Sequence, residues 1–135
     1  MPTLRLAFMS GLIAASAALV VAPAQAEDMA CVMDIVKEAK DGSSEKWREC
    51  AQASKGVDAK KLRDACEGFK AMSLQATDRT TTMRYAPRCK SSGVQGICRG
   101  AFGSVDRHFY KLNAKNLAKQ QGSCSTSGGT WENAK

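Results

Sequence analysis

A chain of 135 residues with a formal charge of +7, 44% hydrophobic residues and a single histidine is short enough to be one domain behind a leader. One histidine leaves little for a zinc centre or for acid–base catalysis, and the positive charge favours anionic partners. Six cysteines, an even number, suit a disulfide framework in an oxidising compartment.

The chain begins with Arg5, the apolar run Leu6–Val21 and then Pro23-Ala24-Gln25-Ala26. A charged start, an apolar centre and a small-residue A-x-A end predict a secretory signal peptide over residues 1–26, cleaved after Ala26. The run is shorter than the ~20 apolar residues of a spanning helix, and none follows it, so no transmembrane segment is expected in the mature chain. The protein is therefore expected to be periplasmic or secreted, with Cys31, Cys50, Cys66, Cys89, Cys98 and Cys124 oxidised. Losing Arg5 takes the formal +7 to +6. The remaining charge is uneven: Glu27–Cys50 carries four basic and seven acidic residues, Ala51–Lys135 fifteen basic and six acidic.

An all-α fold is expected, a disulfide-stapled domain of four to five helices over residues 27–122 with a polar tail, residues 123–135, tied by Cys124. Val32, Ile35, Val36 and Ala39 recur at i, i+3, i+4 and i+7, which predicts a helix over about 29–40. A second is expected over 44–54, with Trp47, Cys50 and Ala51 on one side. The third has the best start signal: Asp58 as N-cap, with Val57 and Leu62 as a hydrophobic staple. Thr77–Ala86 reads as a short helix or an extended segment, ended by Pro87, and Arg88–Ile97 reads as a loop. The last helix, from Ile97 or Ser104 to Gln121, would place Cys98, Phe102, Val105, Phe109 and Leu112 in one narrow sector. No internal repeat is evident.

Six cysteines allow fifteen full pairings. With residues 98–121 in one helix, its ends lie ~35 Å apart, while the residues beyond it reach only ~7 Å. Cys98–Cys124 is then excluded, unless the helix breaks near Gly100 and Gly103 and folds back. Cys50 could reach Cys31 or Cys66, and the set expected is Cys31–Cys50, Cys89–Cys98 and Cys66–Cys124.

No catalytic residue, metal ligand or cofactor is expected. Asp106 and His108 would project ~200° apart on a helix and form no dyad, so His108 reads as a boundary residue. With every cysteine oxidised there is no thiol nucleophile and no metal-binding thiolate. Asp34, Glu38 and Asp41 share a helical face, which keeps a small carboxylate-based cell-wall hydrolase as a third reading.

The sharper signal is a basic stripe, Arg107, Lys111, Lys115 and Lys119, recurring every fourth residue within one ~120° sector of the last helix. It predicts a non-enzymatic binding protein whose basic surface docks an acidic protein partner. The alternative is an anionic membrane, lipopolysaccharide or glycan surface; nucleic acid is the least expected anion. Odorant-binding, saposin-like and elicitin cysteine patterns do not match. Cys66-Glu67-Gly68-Phe69 is similar to the cysteine–glycine–aromatic element of small periplasmic immunity proteins, over those four residues and without their downstream Cys-Pro element. An immunity or inhibitor role is one version of the binding reading.

Overall fold

A computed structural model describes residues 28–135; the expected signal peptide and its cleavage site lie outside the described residues. The elements run β1 (Ala30–Glu38), β2 (Ser44–Ala53), α1 (Ala59–Leu74), β3 (Arg79–Ala86), β4 (Gly96–Ala101), β5 (Val105–Tyr110), α2 (Ala114–Thr126) and β6 (Thr130–Asn133). Six strands form one antiparallel sheet in the order β3-β1-β2-β5-β4-β6. The all-α expectation is overturned: among the described residues only two of the expected helices exist, and the sheet dominates.

The reason lies in what covers each strand. Ala30–Met33 in β1 are four consecutive buried residues, covered by α1 on one face and by the Pro87–Gln95 loop on the other. A strand buried on both faces loses its alternation, and its apolar run cannot be told from a helix by period. In β5, Val105 and Phe109 are both fully buried. A spacing of four is roughly one helical turn but also two strand alternations. The supposed last helix is instead β4, a turn, β5 and α2. Phe102 in that turn is 58% exposed rather than part of a buried stripe.

Helix α1 follows its sequence signals. The Asp58 carboxylate accepts from the Lys61 N–H at 2.8 Å, and Leu62 is fully buried. Asn113 caps α2 the same way, accepting from Asn116 N–H at 2.8 Å. Helix α2 runs on to Thr126, and β6 follows as an edge strand against β4. The segment expected as a tail thus completes the sheet. Trp131 lies over Gly96, where a Cβ would fall 2.1 Å from the indole, and stacks on Phe109 at 5.6 Å.

The topology repeats. Each half is strand, strand, helix, strand, and the halves meet at β2 and β5. Ala51 faces Arg107, with Cys50 opposite His108 and Gln52 opposite Asp106. Cys31 pairs with Ala51 in the first half as Cys98 pairs with Arg107 in the second. An approximate two-fold axis therefore passes through the Ala51–Arg107 pair.

Two of the three disulfides, Cys31–Cys66 and Cys98–Cys124, follow this symmetry. The three are Cys31–Cys66, Cys50–Cys89 and Cys98–Cys124, with Cα separations of 6.3, 5.8 and 5.6 Å, all within bridging range. None of the expected pairs forms, and the excluded Cys98–Cys124 does. The chain reverses at Gly100 and Gly103, at φ +69° and +73°, a conformation glycine adopts freely. Cys98 and Cys124 thereby lie on different elements. Cys31–Cys66 ties β1 to α1, and Cys98–Cys124 ties β4 to α2. Because Cys31, Ala51, Arg107 and Cys98 share one register row, both helices lie on one face of the sheet. Among the described residues, the opposite face carries no helix. No described helix is long and apolar enough to cross a membrane.

Candidate functional site

The helix-free face is partly covered by the loop Pro87–Gln95. Cys89 is bonded to Cys50 of β2, and its N–H donates to Gln52 Oε1 at 2.8 Å. The Tyr110 hydroxyl donates to the Lys90 carbonyl. Gln95 N–H donates to the Phe109 carbonyl at 2.8 Å. A segment of turn-forming residues is thus fixed at four points along β2 and β5.

Between loop and sheet lies a pocket of about 530 Å³, within the usual range for ligand sites. Val32, Cys50, Ala86 and Tyr110 contribute apolar surface, and Arg48, Arg84, Arg88, Lys90 and Lys111 bring five cations. Arg48 Nε and Arg84 Nη1 both donate to Asp34, at 2.6 and 2.9 Å. The Arg48 hydrogen bond, seconded by Arg84, holds the Asp34 carboxyl below its ordinary value. Among the described residues, Arg88, Lys90 and Lys111 have no carboxylate partner. Lys111 sits at φ +60°, where a non-glycine residue costs about 1–3 kcal/mol. Gln95 grips the next residue on both sides, donating to the Leu112 carbonyl at 2.9 Å and accepting from its N–H at 2.7 Å. That clamp holds Lys111 at the pocket.

The four residues of the expected basic stripe do not share a helix. Arg107 is on β5, on the helix-covered face, donating to Glu49 Oε2 at 2.7 Å with its guanidinium 5.0 Å from the Phe109 ring centroid. Lys115 and Lys119 are exposed on α2, across the sheet from the pocket. Only Lys111 lines it. Arg48, Arg84, Arg88 and Lys90 were not singled out in the sequence. The one pointer to them was Arg88-Cys89-Lys90, which puts two cations beside a cysteine and so beside whatever its disulfide closes on.

Asp106 and His108, assigned to opposite sides of a helix, share a face of β5 because alternate strand residues do. They still form no dyad. Asp106 is taken up by Ser54 Oγ, Gly100 N–H and Arg99 Nη1 at 2.9, 2.9 and 3.0 Å. His108 is 8% exposed, and among the described residues neither ring nitrogen has a hydrogen-bond partner. Burial, reinforced by Arg99, pushes its pKa below the ordinary value, against smaller opposing effects of Asp106 and Glu132. The folded state then resists a proton that the unfolded chain takes up near pH ~6.5. Stability is full above that pH and falls as pH drops toward the folded pKa. Denaturant unfolding at pH 7, 6 and 5 should show this decline, and His108→Phe should flatten it. An equal decline in the variant would place its cause elsewhere.

The carboxylates expected to share a helical face are dispersed. Asp34 is held by two guanidiniums, and Asp41 accepts from the Ser43 N–H and hydroxyl in the β1–β2 turn, at 2.9 and 2.6 Å. Among the described residues no three histidine, cysteine or acidic side chains are placed to hold a metal ion. No family model, curated protein or solved structure matches this chain.

Proposed function

We propose that this is an exported, non-enzymatic binding protein that uses a basic surface to dock an acidic partner, an immunity- or inhibitor-type role being one form of this. The single observation carrying this reading is the pocket on the helix-free face, where three cations without carboxylate partners among the described residues join two that share Asp34. Cations gathered around a concave, partly apolar surface concentrate field on an anion more strongly than the same charges spread over a helix. Three disulfides are compatible with export. The docking surface moves from the stripe to the pocket, with Lys111 the residue common to both.

The test compares two charge-neutralised variants of the oxidised protein against acidic polypeptide and anionic vesicles, across a salt series. Arg88→Gln/Lys90→Gln/Lys111→Gln should lose at least about tenfold in affinity, and the wild-type binding should weaken steeply with salt. Lys115→Gln/Lys119→Gln should bind like wild type. Equal losses in both variants would reduce the site to net charge, and no binding by the wild type at low salt would remove the reading.

A further inference from the structure

We infer that the pocket takes a phosphate monoester carried on an apolar body, an inference that rests on the binding reading above. The pocket holds two kinds of surface side by side. Arg48, Arg84, Arg88, Lys90 and Lys111 supply five positive charges against the single carboxylate of Asp34. One carboxylate ligand would leave most of that excess unanswered. A phosphate monoester carries close to two charges at neutral pH, and three terminal oxygens that match guanidinium and ammonium donors. Arg88, Lys90 and Lys111 are the donors free to meet it.

The same volume of about 530 Å³ is several times what a bare phosphate fills. Val32, Ala86, Cys50 and the Tyr110 ring form an apolar pocket floor, packed on one another, and the little carbon surface they leave open would face only water beside a bare ion. Tyr110 is almost fully buried and its hydroxyl is committed to the Lys90 carbonyl, so its ring offers carbon surface rather than a donor. Gly93 completes the loop side, in the left-handed region with open space where a Cβ would be. An anionic head against the cations and a hydrocarbon portion against this surface satisfies both. A membrane lipid headgroup and a free phosphorylated amphiphile share that chemistry.

Isothermal titration of the oxidised protein with hexyl phosphate, inorganic phosphate and heptanoate tests it, with phosphatidic-acid vesicles as a separate arm. Hexyl phosphate should bind at least about tenfold more tightly than either of the other two, since one lacks the apolar contact and the other the second charge. Lys90→Gln/Lys111→Gln, checked for an unchanged near-UV spectrum, should bind hexyl phosphate at least about tenfold more weakly than wild type and lose its preference for hexyl phosphate over heptanoate. Vesicle binding displaced by hexyl phosphate identifies the lipid source, and hexyl phosphate binding without vesicle binding identifies the soluble one. Equal affinity for hexyl phosphate and either control overturns the inference. So does acidic polypeptide binding at these cations that hexyl phosphate does not displace, an outcome that leaves the binding reading standing. Failure of every anion, polypeptide included, removes both.

Discussion

Glu49→Ala is expected to destabilise the protein by about 2–4 kcal/mol, because it removes the counter-ion of a mostly buried guanidinium, 16% exposed. Glu49 is 7% exposed. It lies on the helix-covered face beside the pseudo-two-fold axis, where Arg107 Nη2 reaches Oε2 at 2.7 Å and Trp47 Nε1 donates to Oε1 at 3.2 Å. Arg107 is flanked by the Phe69 and Phe109 rings, and its Nε has no hydrogen-bond partner among the described residues. Without Glu49 the charge keeps its burial and loses its counter-ion. Lys60→Ala breaks an equally short pair, Lys60–Asp64 at 2.8 Å, but that pair is exposed and within one helix. It should move stability by no more than ~0.5 kcal/mol. Equal small shifts in the denaturant midpoint for both variants would show that the Glu49–Arg107 pair is not desolvated in solution.

Removing one disulfide should separate stability from binding. Cys50→Ala/Cys89→Ala and Cys98→Ala/Cys124→Ala open loops of 39 and 26 residues, so each should cost about 2–4 kcal/mol, the first slightly more. Their consequences for the pocket differ. Cys50–Cys89 alone has no counterpart across the two-fold axis, and it fixes the loop that supplies Arg88 and Lys90. Its loss should cut anion affinity at least about tenfold while near-native secondary structure persists. Loss of Cys98–Cys124, which ties α2 to β4 on the far side of the sheet, should leave affinity nearly unchanged below the melting range. Binding that survives removal of Cys50–Cys89 would mean that the loop holds its place without the bridge.

Local signals were legible in the chain, and cooperative ones were not. Helix α1 could be read because Val57, Asp58 and Leu62 act within two turns of one another. Thr77–Ala86 reads as either a short helix or an extended segment, because its β-branched threonines favour a strand only once β1, itself read as a helix, is there to pair with it. The sheet was hidden because its identity depends on neighbours: Ala30–Met33 are buried on both faces only once α1 and the Pro87–Gln95 loop are in place. The disulfide error descended from the same source, since the exclusion of Cys98–Cys124 assumed a continuous helix through Gly100 and Gly103. The excess of positive charge was plain in the composition, but its position was not. A fourfold spacing aligned Arg107 with Lys111, Lys115 and Lys119, whereas the fold sends these residues to the covered sheet face, the pocket and the exposed side of α2.

Residue-resolved NMR during titration of the oxidised protein with hexyl phosphate tests the placement of the anion site most directly. Amide shifts should concentrate at Arg84, Arg88, Lys90, Gly93 and Lys111 and saturate with one dissociation constant, while Lys115 and Lys119 stay still. Shifts centred on Lys115 and Lys119, or spread evenly over every surface lysine, would contradict a binding site on the helix-free face.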